Sequence, residues 1–380
     1  MTAAVAEELA HQPAAAAAIA AALASPSHAY LFTGPAGSGK RDAARRFAAE
    51  LLAAGAADPA SARDRALQDP SPHPDLEWLE PVGARHQVDD IRDRVVSRVN
   101  HRPYEGERRV FVIAAAESMG PESQNALLKT LEEPADAVTL ILVADELAAI
   151  LPTVRSRCQE VGFVAPPPEV AAAMLGAGED GVVAVRLAGG DINRARYLLT
   201  DEGRELRAMA ENLARATIAD RLGEAPWAPI VEFAAAEGER ASDEFVERAR
   251  QAGEEFGDAD TREGKRRVKD ASDDAKRVAR RERTRIIDLA LALVCAWWRD
   301  VAVYGESNGD VEGLLLASDR EELIAADAAG LDPIAARRAA ELAMQARSRL
   351  RVNVTEELAF EAMCFRAAYL FGRGRQGGRG

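Results

Sequence analysis

Val110-Phe-Val-Ile113 and Val138-Thr-Leu-Ile-Leu-Val143 are two short apolar runs rich in β-branched residues. This is the composition of strands that are buried on both faces of a parallel sheet. The segment 121–133 between them begins with Pro121, continues with apolar residues at helical spacing, and is followed by Pro134, so it predicts a helix. Strand, helix and strand with short connections form a βαβ unit, so the sequence predicts an α/β fold with a parallel sheet.

Two motifs in and after this unit are more specific than its periodicity. The helix carries Ser123-Gln-Asn-Ala-Leu-Leu-Lys-Thr-Leu-Glu-Glu-Pro134, and Ser156-Arg-Cys158 follows the second strand. Together they resemble the AAA+ subunits of the bacterial DNA polymerase III clamp loader, clearly over residues 15–200 and more loosely beyond. The resemblance implies an AAA+ P-loop domain with a parallel sheet, a small helical lid, and a C-terminal helical collar domain through which such subunits assemble.

A glycine-rich loop lies near the N-terminus. Gly34-Pro-Ala-Gly-Ser-Gly-Lys40 follows a predicted strand at 29–33 and precedes a helix predicted to open at Arg41. Strand, glycine loop and helix N-terminus are the setting in which backbone N–H groups and a lysine hold phosphate. A P-loop ends in Lys-Ser or Lys-Thr because the hydroxyl ligates Mg²⁺, whereas Arg41 has no oxygen to offer. Two interpretations stay open: the loop binds ATP without hydrolysing it, or it is vestigial. Its candidate nucleotide-binding residues are Gly34, Gly37, Gly39 and Lys40.

The acidic half of an ATPase site is absent from the sequence. By the resemblance, the strand at 110–113 should end in adjacent Asp and Glu, but Ala114 and Ala115 stand there. Glu117 comes shortly after and is expected to lie beyond the reach of a γ-phosphate. The polar sensor position at the end of the next strand falls near Ala144, which has no side-chain donor. We therefore predict that the chain alone has neither ATPase nor polymerase activity.

Arg157, in the Ser156-Arg-Cys158 motif, is the candidate catalytic residue. The resemblance implies that this arginine reaches in trans into the ATP site of a neighbouring subunit. A planar, permanently charged guanidinium suits the charge that spreads over the transferring phosphoryl oxygens. The alternative is a surface arginine paired with an acid such as Glu160.

Loss of the acids together with retention of the arginine matches the delta-prime type of clamp-loader subunit, which would be non-hydrolysing. The implied partners are the motor subunits and the delta subunit of a hetero-pentamer, the sliding clamp, and primed DNA through the complex.

Composition and charge exclude some classes of protein function. The chain has 380 residues, 48% of them hydrophobic, and a net charge of −14, which argues against non-specific DNA binding by the whole surface. There is no apolar run of membrane-spanning length and no signal-peptide pattern, so we expect no membrane partner and a cytoplasmic location.

The three cysteines are dispersed. Related subunits commonly carry a four-cysteine zinc module near residues 51–72, where this chain has no cysteine, so we predict no zinc and no other metal site.

The remaining chain reads as helical. Arg194 falls at the position that the resemblance gives to a sensor arginine of the lid, although it could equally be a solvated helix residue. Polar breaks are expected near 237–242 and at 305–309. The predicted domains are an AAA+ α/β domain at 1–164, a lid at 165–203, a collar at 204–371 and a disordered tail at 372–380.

Two rival functions are considered. An autonomous AAA+ motor ATPase is favoured by the glycine loop and opposed by Arg41 and by the alanines at 114 and 115. A sequence-independent DNA-binding protein would use the basic stretch 262–285 and the Gly/Arg tail. That stretch also carries acids, so a solvated helix is the favoured interpretation there.

Overall fold

The computed structural model describes residues 11–68, 71–83, 85–255, 261–307, 309–350 and 355–377. Its contacts divide the chain into two compact units, Met1–Pro167 and Pro168–Gly380. The first contains the sheet, and in the second the helices are the only regular elements among the described residues.

The first unit is built on five strands paired in parallel in the order β2-β3-β4-β1-β5. In chain order its elements are α1 (Pro13–Ala24), β1 (Ala29–Thr33), α2 (Lys40–Ala53), α3 (Pro59–Leu67), β2 (Leu76–Leu79), α4 (Val88–Ile91, continued by a π turn at Arg92–Val96), β3 (Arg109–Ile113), α5 (Pro121–Glu132), β4 (Val138–Ala144), α6 (Pro152–Arg155) and β5 (Gln159–Gly162).

The central strands are covered on both faces. Every residue of β1, β3 and β4 is buried, and their side chains alternate between two apolar clusters, one under α2 and one under α5. This two-sided burial is why these strands read as continuous apolar runs rather than alternating ones. The predicted strands and helix between Val110 and Val143 are confirmed, and α2 begins at Lys40, one residue before the predicted start.

The second unit consists of nine described helices around one apolar core. They are α7 (Pro168–Leu175), α8 (Gly178–Leu187), α9 (Ile192–Leu198), α10 (Asp201–Ile218), α11 (Ala228–Glu255), α12 (Arg262–Glu306), α13 (Glu321–Ala328), α14 (Pro333–Arg349) and α15 (Glu356–Gly377). Buried residues from Ala171 to Phe371 form a single cluster, so the predicted lid and collar segments share a core. The fold class, α/β followed by all-α, is confirmed.

The predicted break near 237–242 is wrong, because α11 runs through it without interruption. Gly238 is there for packing: a Cβ at this position would lie 2.7 Å from the carbonyl oxygen of Ala279 on α12. The glycine lets the two helix backbones approach closely, at a cost in helix propensity of about 1 kcal/mol relative to alanine. The predicted break at 305–309 is confirmed by the end of α12 at Glu306.

The tail is the second difference. The structure continues α15 to Gly377, so the predicted disorder is wrong for residues 372–377, and residues 378–380 lie outside the described part. Extending a helix that is already nucleated costs less than starting a new one, and Arg and Gln, which alternate with the glycines here, have high helix propensity. None of the helices in the described ranges is long and apolar enough to span a membrane.

Candidate functional site

The glycine loop connects β1 to α2 at the carboxyl edge of the sheet. Gly34 has a φ of 152°, and a Cβ there would lie 2.4 Å from the carbonyl oxygen of Phe163, just after β5. Gly37 and Gly39 also have positive φ values, 73° and 83°. The sequence therefore folds into the strand–loop–helix arrangement that was predicted from its glycines, with Lys40 as the first residue of the helix.

Lys40 is held by groups of its own chain. Its side chain is buried, and Nζ donates a hydrogen bond to the carbonyl oxygen of Pro35 at 2.9 Å. Nζ also forms an ion pair with Asp145 Oδ1 at 2.5 Å. Asp145 directly follows β4, whose carboxyl end lies beside that of β1. The lysine that would contact phosphate is thus paired with a carboxylate.

Glu117 belongs to the same acidic group. Its Oε2 accepts a hydrogen bond from the backbone N–H of Asp145 at 3.1 Å. Burial raises the pKa of the Glu117 carboxyl and the nearby Asp145 carboxylate raises it further, while backbone hydrogen bonds and Lys40 lower it. The sequence pointed to Ala144 as the sensor position and missed Asp145, the next residue. The signal that could have found it is an acid directly after a buried strand.

The side chain that follows Lys40 contacts the end of β2. Arg41 forms an ion pair with Glu80, the residue that follows β2, and its guanidinium lies 5.6 Å from the ring centre of Trp78. Trp78 Nε1 donates to the same Glu80 carboxylate at 2.7 Å. A guanidinium engaged in this way offers no oxygen ligand to a metal ion.

A further contact to the loop could not be foreseen from the sequence. Gln12 is buried, its Nε2 donates to the carbonyl oxygens of Val164 at 2.6 Å and Ser38 at 3.2 Å, and its Oε1 accepts from the Val164 N–H at 3.1 Å. One amide therefore ties the N-terminal segment to the loop and to the chain beyond β5. Nothing in the sequence around position 12 signals this role.

Arg157 lies at the opposite edge of the sheet. It precedes β5, which pairs in parallel with β1, so it lies at the amino edge, whereas the glycine loop follows β1 at the carboxyl edge. The length of β1, about 13 Å at 3.3 Å per residue, separates the two edges. The structure therefore does not bring Arg157 together with Lys40.

The guanidinium of Arg157 is folded back onto its own unit. Nη2 donates to Glu132 Oε1 at 2.7 Å, and Nη1 donates to the Thr153 carbonyl oxygen at 2.8 Å. The acid that pairs with it is thus Glu132 at the end of α5, and Glu160 instead lies 3.9 Å from Arg155.

The segment that carries Arg157 is anchored to the start of α5. Gln124, which is buried, donates to the carbonyl oxygens of Met119 at 3.0 Å and Ala149 at 2.9 Å. Its side-chain oxygen accepts from the Leu151 N–H at 2.8 Å. This places the short helix α6 firmly against α5.

Arg194 is engaged within the helical unit. It pairs with Asp288 at 2.8 Å and with Asp191 at 3.5 Å, and Arg347 donates two further bonds of 3.0 Å to Asp288. Burial opposes ionisation of Asp288, but the two arginines outweigh it and lower its pKa. The position predicted as a sensor therefore forms part of an ion-pair network among α9, α12 and α14.

Metal ligands are not clustered within the described ranges. No group of three or more His, Cys, Asp or Glu residues is close enough there to hold a metal ion. The prediction that the chain needs no zinc stays a prediction. Burial raises the pKa of the Cys158 thiol to about 12, so this residue of the Ser-Arg-Cys motif is a protonated, partly buried side chain at neutral pH.

The α/β unit, which contains this loop and Arg157, is similar in sequence to one family of proteins. Residues 12–167 match the model of the family described as "DNA polymerase III, delta subunit". The resemblance that the motifs predicted is confirmed for this part of the chain.

The curated relatives are more particular. A DNA polymerase III subunit delta' of Pseudomonas aeruginosa is 41% identical over 155 residues, which are 39% of this chain and 46% of that protein. Its counterpart in Bacillus subtilis is 33% identical over 139 residues, 36% of this chain and 42% of that protein. A gamma/tau subunit of Mycobacterium bovis is 34% identical over 153 residues, 39% of this chain and 26% of that protein. The chain thus spans less than half the length of each of these relatives.

Proposed function

We propose that this chain is a delta-prime-like, non-hydrolysing subunit of a bacterial DNA polymerase III clamp loader. It would work in the cytoplasm, helping ATP-driven loading of the sliding clamp onto primed DNA. Its partners would be the motor subunits and the delta subunit of a hetero-pentamer. Its own chemical contribution would be Arg157, presented in trans to the ATP site of a neighbouring subunit.

The observation that carries this proposal is the position of Arg157 relative to its own glycine loop. The two lie at opposite edges of one parallel sheet, separated by the length of β1. An arginine at the far edge, with 35% of its side chain exposed, can be reached by another molecule but not by its own loop. Its planar donor fork fits the oxygens of a transferring phosphoryl group.

The state of the glycine loop supports the non-hydrolysing part. Lys40 forms an ion pair with Asp145, Arg41 stands where a P-loop has a metal-ligating hydroxyl, and Ala114 and Ala115 supply no carboxylate. Phosphoryl transfer in P-loop enzymes needs a metal held between loop hydroxyl and strand carboxylate, and positive charge at the γ-phosphate. We propose that any ATP bound at this loop is not hydrolysed, and that the chain requires no zinc.

Assembly through the helical unit is supported by its surface. Leu358, Phe365 and Tyr369 project from α15 with 55%, 54% and 61% of their surfaces exposed. They share one side of the helix because they are spaced by seven and four residues. Large exposed apolar side chains in a row are typical of surfaces that contact another protein, as expected for a collar.

The rival function is an autonomous motor ATPase. Its support is the loop geometry and the 34% identity to a gamma/tau subunit. The pairing of Lys40 with Asp145 opposes it, because a phosphate would have to displace a carboxylate that is already in place.

The deciding experiment is ATP hydrolysis by a complex reconstituted with motor subunits, delta subunit, clamp and primed DNA. We expect no turnover by the isolated chain. In the complex, Arg157→Ala should remove the activity of one ATP site, a loss of about 10³-fold or more at that site by analogy with measured arginine fingers. Turnover by the isolated chain would establish the motor function instead, and an unchanged complex carrying Arg157→Ala would refute the role in trans.

A further inference from the structure

Arg157 is not presented freely in the isolated chain. Its Nη2 lies 2.7 Å from Glu132 Oε1, and its Nη1 lies 2.8 Å from the carbonyl oxygen of Thr153. The first contact is a charge-assisted hydrogen bond, the stronger kind, and the second comes from the helix α6 that immediately precedes the arginine. The guanidinium is therefore held against its own unit from two sides.

The contact with Glu132 competes with the role proposed for Arg157. A carboxylate and a phosphoryl group both present anionic oxygens that accept hydrogen bonds from the same guanidinium N–H groups. While Glu132 is bound, its negative charge offsets the positive charge that the neighbour's phosphoryl oxygens require. The N–H that Nη2 donates to Glu132 becomes available to a phosphate in trans only after this contact opens.

The ion pair between Arg157 and Glu132 is partly exposed to solvent and is therefore weak. Arg157 has 35% and Glu132 51% of its side chain exposed, so water and salt weaken their attraction. A bound nucleotide carries several negative charges against the single charge of Glu132, so it competes successfully for the guanidinium. The segment before Arg157 stays in place when the pair opens, because Gln124 holds it at Ala149 and Leu151 with one hydrogen bond each.

We propose that Glu132 is a positioning residue that retains Arg157 on its own subunit until a nucleotide bound by the neighbour displaces it. This inference rests on the proposed function, since it assumes that Arg157 acts in trans. It assigns to α5 a regulatory role in addition to packing on the sheet: the carboxylate at its end makes engagement of the arginine conditional on an occupied neighbouring site.

The test compares kcat and KM for ATP in the reconstituted complex carrying either the original chain or Glu132→Gln. Glutamine keeps the shape and the hydrogen-bond acceptor but removes the competing charge. We expect the apparent KM to fall by about two- to fivefold, the size expected for one half-exposed ion pair, with little change in kcat. Glu133→Gln, a change at the exposed adjacent residue, is the matched control and should leave both constants unaltered.

The Arg157→Ala background makes the result specific. There, Glu132→Gln should have no effect, because its only proposed action is on the arginine. A KM unchanged by Glu132→Gln, or a loss of kcat resembling that of Arg157→Ala, would overturn the inference while leaving the proposed function intact. If Arg157→Ala itself leaves the complex unaltered, the proposed function fails first, so the two failures are distinguishable.

Discussion

Replacing Asp145 by asparagine should open the glycine loop to phosphate. In the native chain a phosphate that approaches Lys40 must first break the 2.5 Å ion pair between Nζ and Asp145. Lys40 is 5% exposed and Asp145 is 49% exposed, so the pair lies between a buried and a surface one. Hydrogen bonds to charged groups contribute about 1.5–3 kcal/mol, and exposure of one partner reduces this to about 1–2 kcal/mol.

That energy sets the size of the expected change. In the Asp145→Asn variant the phosphate no longer has to displace a carboxylate, so its affinity should rise by about 5- to 30-fold, at 1.4 kcal/mol per factor of ten. Titration calorimetry with pyrophosphate, and separately with ATP in the absence of Mg²⁺, measures this directly. The variant should still not hydrolyse ATP, because Ala114 and Ala115, which follow β3, supply no carboxylate for a metal ion.

Two control variants test whether the gain in affinity comes from the pair between Lys40 and Asp145. Asp136→Asn makes the same change of charge at an exposed residue before β4, at the other edge of the sheet, and should leave the affinity unaltered. Adding Lys40→Ala to Asp145→Asn should abolish the gain. The reasoning is refuted if the native chain already binds pyrophosphate as tightly as the variant, or if the gain survives the loss of Lys40.

Three other predictions concern stability and reactivity. Gly238→Ala should lower the free energy of unfolding by urea by about 1–3 kcal/mol, because its Cβ would lie 2.7 Å from the Ala279 carbonyl oxygen and force α11 and α12 apart. The pKa of Glu117 is higher in the folded chain than in the unfolded chain. Its protonated carboxyl therefore contributes fully to the free energy of unfolding below the pKa of the unfolded chain, and this contribution is lost as pH rises through the pKa of the folded chain. Glu117→Gln should therefore become more stable relative to the native chain as pH increases from about 4 to 7, measured as urea midpoints. Cys158 and Cys364, whose pKa values burial raises to about 12, should react with a thiol reagent at pH 8 only slowly in the folded chain and rapidly in denaturant.

The elements of the sheet could be predicted because their signal is local. The runs at 110–113 and 138–143 are apolar throughout, which only a doubly covered strand requires, and Pro121 and Pro134 bracket the helix between them. The glycine loop can be predicted for the same reason. Gly37 and Gly39 have positive φ values, which glycine adopts more readily than any other residue type.

The helical unit shows where local signals mislead. The polar, glycine-containing stretch 237–242 and the glycine-rich stretch 372–377 carry the composition of a break and of a tail, yet both are helical. At Gly238 the deciding factor is the backbone of α12, which lies forty-one residues further on at Ala279. No window on the sequence contains both partners of such a contact.

The sequence by itself determined the α/β class followed by helices, the position of the glycine loop, the arginine after Lys40, the alanines at 114 and 115, and Arg157 as the arginine to examine. Only the tertiary structure decided which groups those residues meet: Asp145 at Lys40, Glu80 at Arg41, Gln12 at the loop backbone, and Glu132 at Arg157. The physical reason is range. Strand and loop propensities act over a few consecutive residues, whereas ion pairs and hydrogen bonds form between groups that the parallel sheet brings together from distant parts of the chain.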